Sequence, residues 1–111
     1  MRTATLKLTL KKKWFDMILS GEKKEEYREV KNHWIQRLTI PMPCFNNGYE
    51  FICDEFSLIE FSNGYGSNVP KFIIECKNIH TGFGKTEWGA EENVNYFVIT
   101  LGQIVSTSNL L

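Results

Sequence analysis

Hydrophobic and polar positions change period several times along the chain, and each change marks an element. From Thr3 to Leu10 they alternate, with Ala4, Leu6, Leu8 and Leu10 on one face and Thr3, Thr5, Lys7 and Thr9 on the other. A period of two predicts a half-buried strand. From Lys13 to Ser20 the spacing becomes helical, with Trp14, Met17, Ile18 and Leu19 as the apolar stripe and Gly21 as the stop. Lys23 to Val30 is extended again and densely charged, with Tyr27 and Val30 as its apolar members. Asn32 is placed to cap a short helix through Leu38 that turns Trp34, Ile35 and Leu38 inward. Ile40 to Glu55 is the least regular stretch. Its Asn46-Asn47-Gly48 fits a type I′ hairpin turn, and a mobile flap is the other reading.

Phe56–Phe61, Lys71–Ile79 and Tyr96–Val105 read as further strands, Gly82–Asn95 as a loop and Ser106–Leu111 as a frayed tail. Two helices among several short strands predict a single α+β domain over residues 1–105, a small β-barrel or curled sheet with helices at its flanks.

A chain of 111 residues is long enough for one core without disulfide support. No apolar run approaches a membrane span and the N-terminus has no signal-peptide pattern, so a cytoplasmic protein with no membrane partner is expected. Cys44, Cys53 and Cys76 form neither a disulfide framework nor a CxxC pair, and His33 and His80 stand apart. No metal or cofactor is expected, and the thiols read as small packing groups.

Net charge is zero but unevenly spread. Residues 1–37 carry ten Lys/Arg against five Asp/Glu, and residues 38–111 carry three against eight. Such asymmetry fits a polyanionic partner for the basic half, or mutual neutralisation of the two halves on folding.

Gly82-Phe83-Gly84-Lys85-Thr86 ends like a phosphate-binding P-loop, but the position that needs the first glycine is Ile79, and Glu87-Trp88-Gly89 is a poor helix start. Lys11-Lys12-Lys13 opposes the dipole of the first helix, at roughly 0.3–1 kcal/mol per exposed charge, a penalty that a bound phosphate would reverse.

The densest chemistry lies in Gly21-Glu22-Lys23-Lys24-Glu25-Glu26-Tyr27-Arg28-Glu29. In a strand, Lys24, Glu26 and Arg28 point one way and Lys23, Glu25 and Tyr27 the other. Arg28 offers a planar fork for phosphate or a base edge. A buried lysine beside a carboxylate suits acid–base or nucleophilic work. A solvated edge strand has the same composition. Trp34 and Arg37 lie one helical turn apart, and Asn63 and Tyr65 sit in a glycine-rich turn. Each pair fits contact with a base, and each also fits core packing or plain turn chemistry.

The run from Trp14 to Arg28 resembles the signature of the ASCH domain family of the PUA-like superfamily: an apolar helix ending in Gly-x-Lys, then a strand with x-x-x-x-Arg. Gly21, Lys23 and Arg28 fall on that pattern, as does Glu26 two before the arginine, and Phe56–Ser62, Phe72–Lys77 and Tyr96–Ile104 fit the later strands. The resemblance implies a PUA-like β-barrel with a cleft at one end and an RNA or modified-nucleoside ligand. Some members cleave RNA, and some small ones hydrolyse acylated cytidine nucleosides through the lysine, a threonine three positions on and a distant glutamate. Here Lys23 matches the lysine, Glu26 stands in the threonine's place, and none of Glu87, Glu91 and Glu92 matches the glutamate.

Binding of RNA or a nucleoside around Lys23, Glu26 and Arg28, joined by Trp34, Arg37, Asn63 and Tyr65, is therefore the first expectation. An amidohydrolase or ribonuclease with Lys23 as nucleophile or base and Glu26 as its partner is the second, and a protein-interaction adaptor using Pro41–Asp54 the third. For one ligand to meet Lys23, Glu26 and Arg28, Lys23 must belong to the bend after Gly21, and the other two to the strand.

Overall fold

The computed structural model describes residues 4–43 and 49–110. Alternation in Thr5–Thr9 (β1) buries Leu6 and Leu8 and exposes Thr5 and Lys7. Lys12–Leu19 (α1) buries Phe15 and Ile18, with Trp14 and Leu19 packed at the margin of the core. The helix closes where Gly21 takes φ 87°, its N–H bonded to the Ile18 carbonyl. A residue with a side chain is strained at that φ, so glycine suits this exit. The strand that follows is shorter than its charge pattern predicts, covering Glu25–Glu29 (β2). Asn32–Leu38 (α2) has the expected span, but Lys31 is the N-cap and Asn32 the first helical residue, with no side-chain cap bond.

Thr39–Pro43 (β3) and Tyr49–Cys53 (β4) pair antiparallel as a separate two-stranded sheet. That agrees with a hairpin, although the Asn46-Asn47-Gly48 turn and Cys44 lie outside the described residues. Leu58–Ser62 (β5), Lys71–Phe83 (β6) and Asn95–Ser108 (β7) complete the main sheet.

The main sheet has five strands in the order β1-β5-β6-β7-β2. Only β1 and β5 run parallel; the other neighbours are antiparallel. The sheet is mixed and curls into a half-barrel, with two helices beside it in the fold, and the Arg28 side chain of edge strand β2 reaches the Thr9 carbonyl of edge strand β1. The concave side holds the core, in which Phe72 meets Phe15 at 4.8 Å and Phe61 at 5.6 Å between ring centroids.

Two stretches differ from the sequence reading. Gly82 and Phe83 extend β6 by pairing with Tyr96 and Asn95, which shortens the expected loop. Ser106–Ser108 are not a frayed tail but the end of β7, paired with Ile73, Phe72 and Lys71. Their polar side chains carry no burial signal; the backbone ladder holds them.

Candidate functional site

Gly21 turns the chain and the Lys23 N–H closes on the Met17 carbonyl at 2.9 Å, so Lys23 lies in the bend before β2. Its side chain runs inward and is almost fully buried, at 2% exposure. All three ammonium donors find an acceptor: the Glu25 carbonyl at 2.6 Å, the Trp88 carbonyl at 2.8 Å and Glu26 Oε1 at 3.1 Å. The rings of Trp14 and Tyr27 wall the charge, with centroids 5.2 and 4.8 Å from Nζ. Desolvation pulls the Lys23 pKa below its usual value and Arg28 adds to that, while Glu26 and, less strongly, Glu25 oppose it.

Glu26 is itself buried and divides its carboxylate. Oε1 faces Lys23, and Oε2 accepts Arg28 Nη2 at 2.8 Å. The same Arg28 nitrogen donates to the Thr9 carbonyl on β1 at 3.2 Å, tying the two edges of the half-barrel together. Arg28 Nε is buried without a hydrogen-bond partner among the described residues.

The Arg28 guanidinium lies 4.9 Å from the Trp34 ring centroid, and that of Arg37 lies 5.3 Å from the same ring. Arg37 in turn donates Nη2 to the Lys7 carbonyl at 3.0 Å. Two arginines thus cap alternate carbonyls of an edge strand, which protects an otherwise open edge. Lys23, Glu26, Arg28, Trp34 and Arg37 form one continuous line from the interior to the surface.

The other predicted residues are less closely joined. Asn63 donates Nδ2 to the Leu10 carbonyl at 3.1 Å, one residue beyond the carbonyl that Arg28 takes. Tyr65 is 88% exposed, in a turn where Gly64 and Gly66 take φ 104° and 110°. Lys24, expected to share a face with Glu26 and Arg28, is exposed because β2 begins after it. A groove of about 530 Å³ beside the end of α1 is lined by Lys23 and Lys24, together with Glu75, Lys77 and Gln103, but by neither Glu26 nor Arg28. The three predicted residues therefore meet through ion pairs, and only Lys23 borders that groove.

The stretch after β6 supplies what the sequence reading missed. Tyr27 donates its hydroxyl to Glu25 Oε1 at 2.8 Å and accepts the Lys85 N–H at 2.9 Å. Burial, with Glu25 adding to it, drives the Tyr27 phenol far above its usual pKa, against the pull of the Lys85 N–H. A Cβ on Gly84 would meet the Tyr27 ring at 2.6 Å, and one on Gly89 would meet the Trp14 ring at 2.9 Å. Those glycines let the segment press onto the Lys23 chamber, where Trp88 contributes its carbonyl. The P-loop resemblance ends there, since only the three-residue 3-10 turn Thr86–Trp88 follows.

Among the described residues no group of three or more His, Cys, Asp and Glu is placed to hold a metal ion. Among the same residues no helix is long and apolar enough to cross a membrane. Cys53 and Cys76 are free and half-buried, and burial pushes the Cys76 thiol up to about 11. No family model, no curated protein and no solved structure matches the chain.

Proposed function

We propose that this chain is a PUA-like domain of the ASCH type that binds single-stranded RNA or a modified nucleoside, working in the cytoplasm. The observation that carries the reading is the pair of guanidiniums, Arg28 and Arg37, held at one indole, Trp34. Each is anchored to a backbone carbonyl of β1 through Nη2 alone. Nη1 of each has no protein acceptor among the described residues, so both arginines keep a donor for phosphate oxygen or a base edge. Aromatic and arginine side chains together make a sequence-tolerant platform for unpaired bases. Exposed Lys7, whose carbonyl holds Arg37, adds positive charge there, and Tyr65 offers an exposed ring.

The lowered Lys23 pKa favours a second reading, hydrolysis of acylated cytidine or of RNA with Lys23 as nucleophile or base. Against it, the ammonium has no free donor and almost no exposure, so attack on a substrate requires breaking three contacts first. Binding therefore ranks above catalysis.

Titration of labelled single-stranded oligonucleotides and of cytidine nucleosides, alongside a turnover screen on acylated cytidines, tests both readings. Binding without turnover is expected. Turnover abolished by Lys23→Met in a folded chain would reverse the ranking, and absence of any binding would end the first reading.

A further inference from the structure

The carboxylate of Glu26 stands between two cations and gives one oxygen to each. A carboxylate beside an arginine ordinarily takes two parallel N–H bonds at once. Here Oε2 receives Nη2, while Oε1 is held 3.1 Å from Lys23 and Arg28 Nε has no partner among the described residues. Nε is enclosed by protein, so the group best placed to claim it is the neighbouring carboxylate, and Lys23 stops that carboxylate from turning. We infer that Lys23 is a positioning residue for Arg28: by holding Glu26 Oε1 it confines Glu26 to a single contact and keeps the guanidinium at Thr9 and Trp34, with Nη1 facing outward for a phosphate oxygen of the ligand. This inference rests on the binding reading above for its ligand, but the restraint on Arg28 does not depend on it.

Lys23 itself then makes no ligand contact. Its remaining donors go to the Glu25 and Trp88 carbonyls, which fix its position from two directions, so the ammonium cannot follow Glu26 if that side chain moves. Without Lys23, Glu26 swings both oxygens onto Nε and Nη2, and Arg28 is drawn off the Thr9 carbonyl and away from Trp34.

The test reads the Arg28 Nε–H resonance by proton–nitrogen NMR, with and without a single-stranded oligouridine, in the wild-type chain, Lys23→Met and the double variant Lys23→Met/Glu26→Gln. In Lys23→Met the resonance moves downfield as Nε gains a charged acceptor, oligouridine affinity falls at least fivefold, and the salt slope becomes shallower by about 0.7 as the Arg28 phosphate contact is lost. In the double variant the neutral amide releases Arg28, so the resonance returns toward the wild-type position and most of the lost affinity is regained.

An unmoved Nε–H signal in Lys23→Met overturns the inference. So does a double variant whose salt slope stays shallower by about 0.7, the value for one phosphate contact on a single strand, because Lys23 itself would then touch the ligand. Should Lys23→Met not fold, the double variant decides by the same slope and by its own Nε–H position, since replacing both members of a buried pair is tolerated better than removing one. If the wild-type chain binds no oligouridine, the binding reading fails, and the NMR comparison still accepts or rejects the restraint on Arg28.

Discussion

Lys23 and Arg37 are both cations on the same line of side chains, yet they stand in opposite conditions. Lys23 is enclosed by Trp14 and Tyr27 and has spent every donor on the protein. Arg37 is exposed and has committed a single nitrogen, to the Lys7 carbonyl. Charge alone does not mark a binding residue; unspent donors within reach of solvent do. The interior end of the line is tied into the fold, and the outer end keeps the donors that the proposed ligand would use.

The strongest way to break this contrast is to remove the interior cation. Lys23→Met leaves the Glu25 and Trp88 carbonyls without their donor while Glu26 keeps Arg28, and the loss should be about 2–5 kcal/mol in denaturant unfolding, at roughly 1–3 for each carbonyl. A loss below about 1 kcal/mol would mean that the chamber is open to water and that the two ends do not differ. Gly84→Ala should follow at about 1–3 kcal/mol, because its methyl would overlap the Tyr27 ring and Ala90 in a packed region. A neutral outcome there would show that the segment does not press on the chamber.

The pH dependence sharpens the same contrast, and its sign follows from which state holds the proton. Tyr27 keeps its proton in the native state above the usual 10.0, where the unfolded chain gives it up, so the native state binds more protons. Its contribution to stability is therefore lost as pH rises above 10.0. Lys23 acts oppositely. Its pKa is depressed in the native state, so stability rises with pH between that value and the 10.5 of the unfolded chain. Urea midpoints measured above pH 10.0 should fall more steeply for the wild type than for Tyr27→Phe. Parallel curves would contradict the buried hydrogen bond to Glu25. The smallest effect belongs to the outer end, where Arg37→Gln should shift stability by less than about 0.5 kcal/mol.

Much of the architecture was legible in local spacing. The period-two run at Leu6 and Leu8 and the stripe at Trp14 and Ile18 announced β1 and α1, and Gly21 announced the bend. The expectation that Lys23 belongs to the bend, and Glu26 and Arg28 to the strand, matches the geometry for a physical reason: a glycine exit delays the start of pairing until Glu25.

The connections that define the site were not legible. Lys23 finds its acceptor at Trp88, Arg28 at Thr9 and Arg37 at Lys7, all set by how the half-barrel closes. Gly84 and Gly89 read only as residues of an expected loop, and the rings of Tyr27 and Trp14 that they approach were invisible in the sequence. Ser106–Ser108 show the converse failure, since a backbone ladder needs no side-chain pattern.

Binding of a polyanion at the exposed arginine end of the line is the step on which the proposed function stands. It is tested most directly by the affinity of the wild-type chain and of Arg37→Gln for a single-stranded RNA oligonucleotide across a salt series. Log affinity should fall linearly with log salt, with a slope shallower by about 0.7 in Arg37→Gln. Salt-insensitive binding, no binding, or an unchanged slope in Arg37→Gln would contradict it.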